Sequence, residues 1–182
     1  MNESCFSLKP FTSTRFSRQF EIIGSISLNS GTLVVSYILT GPLVKLIIPK
    51  TAAMPIRRDN LWEETCFEFF LAPINSERYW EFNLSPAGHW NVYRFESYRS
   101  GMQSESAFQS LPFTVQGRPD AVHISSEFDL TRIIPLSDQT VTAGINAVIK
   151  PVRGEMTYWA LIHSGAKADF HMRDSFVIEL NF

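Results

Sequence analysis

The chain has 182 residues, of which 45% are apolar and 13% aromatic. This length and composition exclude a disulfide-stapled miniprotein and an intrinsically disordered chain, and they provide for one compact domain with a large core. Lysine and arginine number 16 against 18 acidic residues, which gives a formal net charge of −2. Because no basic cluster accompanies this balance, we expect neither nucleic acid nor a membrane surface as a partner.

Short runs of β-branched and aromatic residues, separated by Gly, Pro, Asn and Ser, follow one another along the chain. Residues 22–28 and 32–40 flank Asn29-Ser30-Gly31, and this arrangement predicts a β-hairpin. Further strands are predicted at residues 43–49, 64–72, 79–84, 90–95, 113–116, 121–130, 141–150, 155–163 and 175–182. No internal repeat or composition break divides the chain. The pattern predicts one all-β domain over residues 1–182, an antiparallel two-sheet β-sandwich of the jelly-roll kind.

Alternation within the predicted strands separates a core face from a polar face, because successive side chains of a strand point to opposite sides. The predicted core face comprises Phe67, Phe69, Leu71, Trp80, Phe82, Leu84, Val122, Ile124, Phe128, Ile145, Ala147, Ile149, Met156, Tyr158 and Ala160. The predicted polar face comprises Glu68, Glu81, Asn83, Asn146, Trp159 and His163. Trp62, at the entry of the strand at residues 64–72, falls on the same polar side.

The turn at residues 85–88 fixes the pairing of the strands on either side of it. With Gly88 in the left-handed conformation, the turn would pair Leu84 with Trp90. In this register four polar or amphipathic side chains share one face: Glu81, Asn83, Asn91 and Tyr93.

A tryptophan among hydrogen-bonding side chains is an arrangement that suits a sugar. The C–H face of a pyranose packs flat on an indole, while its hydroxyl groups require donors and acceptors. Trp62 and Trp159 are the two tryptophans that the alternation places among such residues. We therefore take them as candidate stacking residues, with packing in the core as the alternative.

Two stretches carry a resemblance to a known family. LWEETCFEFFLAP at residues 61–73 and YWEFNLSPAG at residues 79–88 resemble family 9 carbohydrate-binding modules and the wider DOMON-like superfamily. That pattern is a Trp, a short acidic stretch, an acidic residue in a strand that ends at Pro, and an aromatic strand that leads to a Gly turn. Residues 158–163 and 168–176 resemble the tail of a bacterial DOMON-like branch of undefined ligand.

The resemblance implies a β-sandwich that binds the end of a glycan between two tryptophans, without catalysis. By position, Trp62 matches the first stacking residue, Glu68 the carboxylate that accepts sugar hydroxyls, and Asn83 a polar ligand residue, with Trp159 as the candidate for the second tryptophan. Further candidates for hydroxyl bonding are Arg58, Asn146 and His163. The acidic pair Glu63-Glu64 cannot supply the converging oxygen ligands of calcium. We expect no metal site and no cofactor.

Three alternatives stay open. Some DOMON domains bind haem through Met and His, and the candidate ligands here are Met54, Met102, Met156, Met172, His89, His123, His163 and His171. A glycoside-active enzyme would need a carboxylate pair, for which the candidates are Glu64, Glu68 and Glu81. A protein-interaction module would use the same aromatic surface to bind a protein partner.

The cysteines and the N-terminal residues indicate in which cellular compartment the protein is expected. Cys5 and Cys66 form no metal-binding spacing, and we interpret them as structural thiols. Residues 1–10 have neither a basic start nor a continuous apolar stretch, so we expect no signal peptide. A cytoplasmic protein is the expectation.

Overall fold

The computed structural model describes residues 3–138 and 140–182. Residues 1, 2 and 139, which the predicted domain includes, lie outside the described residues. Thirteen strands form in the described part: β1 Glu3–Ser7, β2 Lys9–Pro10, β3 Glu21–Asn29, β4 Thr32–Thr40, β5 Cys66–Pro73, β6 Tyr79–Leu84, β7 Trp90–Phe95, β8 Gln103–Ser104, β9 Phe113–Gly117, β10 Ala121–Asp129, β11 Thr140–Ile149, β12 Thr157–Ala160 and β13 Ile178–Asn181.

The strands form two sheets, and the pairs between strands in the described residues are antiparallel. The smaller sheet has the order β1-β3-β4-β10-β9, and the larger has the order β2-β12-β11-β5-β6-β7-β8. β13 pairs with the first residues of β11, whereas β12 pairs with its last residues. The predicted antiparallel two-sheet sandwich is confirmed.

Aromatic side chains fill the space between the two sheets. Phe69 of β5 stacks on Phe82 of β6 at 4.4 Å between ring centroids, and Phe82 lies 5.0 Å from Phe128 of β10 in the other sheet. The hydroxyl of Tyr37, on β4, donates across the core to the backbone carbonyl of Glu68 at 2.7 Å. These contacts fix β5 and β6, the central strands of the larger sheet, against the smaller sheet.

Both predicted turns form with the expected geometry. Ser30 and Gly31 have φ angles of 48° and 84°, which match the two left-handed positions of a tight hairpin turn between β3 and β4. Gly88 also has a positive φ, and Leu84 pairs with Trp90 as predicted.

The strand predicted at residues 43–49 is wrong. Leu43–Lys45 form a 3₁₀ turn, and Leu46 makes only an isolated bridge to Pro151. Val44 is 85% exposed, so this apolar run does not supply a buried strand face. Strand β1 was not predicted, because the polar residues that flank its one buried side chain, Phe6, give no apolar alternation.

The predicted face of Trp159 is also wrong. Trp159 pairs with Ala147 of β11, and directly paired residues share a face of the sheet. Ala147 faces the main core, so Trp159 lies there too, only 2% exposed. Tyr158 and Ala160, which the alternation placed in the core, lie on the outer face instead.

The reason is a second apolar cluster on the outer face of the larger sheet. Phe70, Tyr79 and Phe95 on the strands pack there against Phe170 and Phe176 of the C-terminal segment, residues 161–177. Gly144 of β11 allows this segment to lie directly on the sheet, because a Cβ at that position would come within 2.8 Å of the Phe176 ring. With apolar side chains on both faces, alternation alone no longer identifies the inner one.

Candidate ligand-binding cleft

A row of polar side chains crosses the outer face of the larger sheet. Glu68 on β5 is paired with Asn146 on β11 and with Asn83 on β6, and Asn83 is paired in turn with Asn91 on β7. All four are at most 3% exposed. Burying four polar side chains in one row is costly unless they are hydrogen-bonded or serve a ligand.

A cleft of about 550 Å³ lies over this face. Its floor is formed by Glu68 and Glu81, which come from adjacent strands and point to the same side of the sheet. The walls come from distant parts of the chain: Trp62, Glu63, Phe95, Arg99, Met102, Val148, Met156, Tyr158, Ala168, Phe170 and His171.

Trp62 stands at the wall because of the short 3₁₀ turn Leu61–Glu63 that precedes β5. Asn60, before this turn, adopts a left-handed φ of 59°, and Leu61 is buried. The indole of Trp62 meets the ring of Tyr93 edge-on at 5.8 Å between centroids. Trp62 itself is only half-buried, so its remaining surface is available to a ligand.

The two floor carboxyl groups differ in their hydrogen bonds. Oε1 of Glu81 accepts a hydrogen bond of 2.8 Å from Nδ2 of Asn83. Oε1 of Glu68 and Nδ2 of Asn146 are buried and have no hydrogen-bond partner among the described residues. Burial raises the pKa of Glu81 to about 7, and burial next to Glu81 raises the pKa of Glu68 well above its usual range. The pair therefore favours a state that holds at least one proton near neutral pH.

His171, from the C-terminal segment, closes the cleft beside Glu81. The Tyr79 hydroxyl accepts from the backbone N–H of Arg99 at 3.1 Å and lies 2.8 Å from Nδ1 of His171. We assign the hydroxyl as donor to Nδ1, which leaves the proton of the ring on Nε2, 3.8 Å from Oε2 of Glu81. Burial, together with the charge of Arg99, lowers the pKa of His171 to about 4, so the ring is neutral at pH 7.

Arg99 lies at the rim and its charge is matched by Asp169. The guanidinium donates to Oδ1 of Asp169 at 2.8 Å, and the Tyr98 hydroxyl donates to Oδ2 of the same carboxylate at 2.5 Å. The backbone N–H of His171 also donates to Asp169. Asp169 thus joins the segment after β7 to the C-terminal segment, and it holds two walls of the cleft together.

The structure brings four of the seven predicted site residues to one place. Trp62 and Glu68 line the cleft, and Asn83 and Asn146 flank Glu68 in the buried row.

The other three predicted residues lie elsewhere. Trp159 is in the main core, with its indole N–H bonded to Thr157. His163 lies beside β2, where Nε2 contacts the Lys9 carbonyl at 2.8 Å. Arg58 is exposed and does not line the cleft. Its backbone N–H donates a hydrogen bond to the carbonyl of Trp90.

Several cleft residues were not among the residues predicted to bind a sugar, although Glu81 was a candidate carboxylate of the enzyme alternative and His171 a candidate haem ligand. Glu81 shares the face of Asn83, so the alternation already carried the signal that could have identified it. His171 follows β12 in a segment without strand periodicity, and it reaches the cleft through contacts with Phe70, Tyr79 and Phe95, which lie 101, 92 and 76 positions away in sequence. Single-sequence periodicity holds no information about such contacts.

Two kinds of feature, metal-ligand groups and membrane-spanning helices, are absent from the described residues. No group of three or more His, Cys, Asp or Glu side chains in residues 3–138 and 140–182 is arranged to hold a metal ion. Within the same residues, no helix is long and apolar enough to cross a membrane.

Comparison with solved structures shows the fold type. A Bacteroides uniformis protein proposed to bind carbohydrate superposes with a TM-score of 0.67 at 15% identity, covering 96% of this chain and 85% of that one. A family 9 carbohydrate-binding module of Caldicellulosiruptor kristjanssonii superposes with a TM-score of 0.58 in its cellotriose complex, at 10% identity over 98% and 81% of the two chains. The glucose complex gives 0.53 at 11% identity over 94% and 79%. No protein-family model and no curated protein sequence matches the chain. The chain has a fold like that of family 9 carbohydrate-binding modules.

Proposed function

We propose that the protein binds a saccharide or a similar polyol, without catalysis, in the cleft on the outer face of the larger sheet. The observation that carries the proposal is the position of half-buried Trp62 at a cleft whose floor is two buried carboxyl groups, Glu68 and Glu81. An apolar ring beside converging hydrogen-bonding groups matches a pyranose, which has a C–H face and a hydroxyl edge. The solved modules of the same fold hold glucose and cellotriose.

The cleft residues divide into two roles in this proposal. Trp62 stacks on one face of the sugar, and Tyr158, rather than Trp159, supplies the second aromatic surface, because Tyr158 lines the cleft and is 39% exposed. Glu68 and Glu81 bind hydroxyl groups. A protonated carboxyl group donates one hydrogen bond, and its ionised neighbour accepts hydrogen bonds. The pair can therefore donate to one sugar hydroxyl and accept from another.

The arrangement of the carboxyl groups favours binding over glycoside hydrolysis. A glycosidase places its two carboxyl groups on either side of the scissile bond. Glu68 and Glu81 come from adjacent strands of one sheet face and rise together from the floor. A sugar that stacks on Trp62 would therefore meet both from the same side.

The surroundings of His171 favour a sugar over haem. His171, Met102 and Met156 line the cleft, which is the residue set that haem ligation would use. Nδ1 of His171, however, is bonded to Tyr79, and Nε2 faces Glu81. Tyr79 occupies Nδ1, and an iron on Nε2 would have to displace the Glu81 carboxyl group that lies 3.8 Å away, so these residues fit a haem poorly.

Isothermal titration of a sugar panel into the wild-type protein and Trp62→Ala tests the proposal. With glucose, galactose, mannose, xylose and cellobiose as probes, we expect at least one to bind with about 4–8 kcal/mol, that is, millimolar to micromolar affinity. Trp62→Ala should weaken that binding about tenfold or more, because the stacking surface is lost. Trp62→Phe, which keeps an aromatic ring, should retain an intermediate affinity.

Folding of the variants is checked by near-ultraviolet circular dichroism. Unchanged sugar affinity in a folded Trp62→Ala protein would place the site elsewhere. Absence of binding by all of these sugars and by their amino derivatives in the wild-type protein would refute the proposed function.

A further inference from the structure

The cleft is lined by more acidic than basic side chains. Among the described residues that line it, the acidic side chains are Glu63, Glu68 and Glu81, and the one arginine is Arg99. The Arg99 charge is already matched by Asp169 at 2.8 Å. His171, also at the cleft, is neutral at pH 7 because its pKa is lowered to about 4 by burial and by Arg99. When the carboxyl pair ionises, no unmatched positive charge among the described lining residues faces it, and a neutral ligand would not supply one.

Glu68 provides a second, independent indication of a ligand. Glu68 lines the cleft and is only 3% exposed. Its Oε1 atom has no hydrogen-bond donor among the described residues. A buried polar atom without a hydrogen-bond partner destabilises the folded state. A strong donor on a ligand in the cleft would remove this destabilisation.

The walls of the cleft suit a cation as well. The aromatic side chains at the cleft are Trp62, Phe95, Tyr158 and Phe170. An ammonium group over the face of such a ring is attracted to it electrostatically. An inorganic cation is a poorer match, because no group of three or more potential ligands in the described residues is arranged to hold one.

We propose that the cleft selects saccharides that carry a protonated amine, so that an amino sugar binds more tightly than the neutral sugar of the same configuration. The ammonium group would lie against the carboxyl groups of Glu68 and Glu81, and the ring of the sugar would stack on Trp62. This inference rests on the proposed function and names the ligand class of that same site.

Binding of a cation changes the protonation of the floor. The titratable and charged groups that face Glu81 come from several elements: Cys66 and Glu68 from β5, Tyr79 from β6, Tyr93 from β7, Arg99 from the segment after β7, and His171 from the C-terminal segment. An ammonium group against Glu81 favours the ionised carboxylate and lowers its pKa from about 7. Amino-sugar binding near neutral pH therefore releases a proton to the solvent, and a neutral sugar has no charge with which to cause this.

The test compares three matched pairs by isothermal titration at about pH 7, where amines of this kind are still mostly protonated. The pairs are glucosamine with glucose, galactosamine with galactose, and mannosamine with mannose. For at least one pair we expect the amino sugar to bind about tenfold tighter. Titration in two buffers of different ionisation enthalpy should show net proton release for that amino sugar alone.

Glu81→Gln is the diagnostic variant, because the amide removes the charge and keeps an acceptor for Asn83. We expect the amino-to-neutral affinity ratio to fall towards one. Glu127→Gln, which removes the same charge from the exposed face of the smaller sheet, should keep the wild-type ratio. Glu68→Gln serves the same purpose if Glu81→Gln does not fold.

The outcomes separate this inference from the proposed function. If neutral sugars bind as tightly as their amino counterparts, the inference is refuted and the saccharide site stands. A tenfold preference that persists in both carboxyl variants would also refute it, because the selectivity would then come from other groups. If no sugar of either kind binds, the proposed function fails and the inference fails with it.

Discussion

Glu81 shows how one side chain links the fold to the chemistry of the cleft. It is 5% exposed, accepts a hydrogen bond from Asn83, and lies close to Glu68 and to the neutral ring of His171. Burial raises its pKa from about 4.5 to about 7. Ionisation of this group as the pH rises therefore lowers the unfolding free energy. A carboxyl group with a perturbed pKa in a cleft is a candidate functional position.

The pKa of Glu81 predicts how stability depends on pH. The folded state binds its proton up to about pH 7, whereas in the unfolded chain Glu81 loses its proton near pH 4.5. The stability contributed by the proton is therefore fully present below about pH 4.5 and is lost as the pH rises to 7. Relative to wild type, Glu81→Gln should gain up to about 3 kcal/mol in unfolding free energy between pH 4.5 and pH 8.

Urea denaturation of both proteins across this pH range measures the difference directly. Burial, Arg99 and Asp169 set the pKa of His171, so its contribution should be similar in both proteins. The pKa of Glu68, which Glu81 raises, falls in the variant and adds to its gain at high pH. A difference in unfolding free energy that does not change with pH would contradict a raised pKa at Glu81.

Among the strands, alternation correctly predicted the features that local sequence determines, namely which side chains face the core and where the tight turn lies. The alternation in β5, β6, β7 and β11 placed their side chains correctly, because the inner positions there are apolar and the outer ones include the polar row. The hairpin of β3 and β4 followed from Ser30-Gly31, since few residues tolerate a left-handed turn.

The errors arose where a second element covers a strand. The C-terminal segment makes the outer face of β12 apolar, so the alternation there pointed Trp159 to the wrong side. The same long-range packing brings His171 and Phe170 to the cleft. The floor of the site was therefore predictable from the sequence in part, and the wall formed by the C-terminal segment was not.

The difference in burial between Trp159 in the core and Trp62 at the cleft predicts a difference in the cost of replacing each by alanine. Trp159→Ala removes a side chain from the main core and should lower the unfolding free energy by about 3–5 kcal/mol. Trp62→Ala truncates a half-buried side chain at the cleft, and a cost below about 2 kcal/mol is expected. Urea denaturation at a single pH compares them. Nearly equal losses would contradict the assignment of one tryptophan to the core and the other to the cleft.

The whole molecule is a sandwich with two apolar regions. The main core lies between the sheets, and the smaller cluster lies on the outer face of the larger sheet, beneath the C-terminal segment. The cleft opens where this second cluster meets the buried polar row, so both a rigid floor and an aromatic wall are available at one place. A site on strands that are packed from both sides is preorganised, and little conformational entropy is lost when a ligand binds.

If the cleft beside Trp62 binds the saccharide, the indole N–H signals of the four tryptophans distinguish this site from the core. Trp80, Trp90 and Trp159 are at most 5% exposed, and only Trp62 lines the cleft. Heteronuclear NMR of the protein labelled with nitrogen-15, with Trp→Phe variants for assignment, follows all four signals while neutral and amino sugars are added. We predict that a sugar of the panel shifts the Trp62 signal in a saturable manner and leaves the Trp159 signal unchanged. A largest shift at Trp159, or no shift at Trp62 with any sugar, would contradict the account.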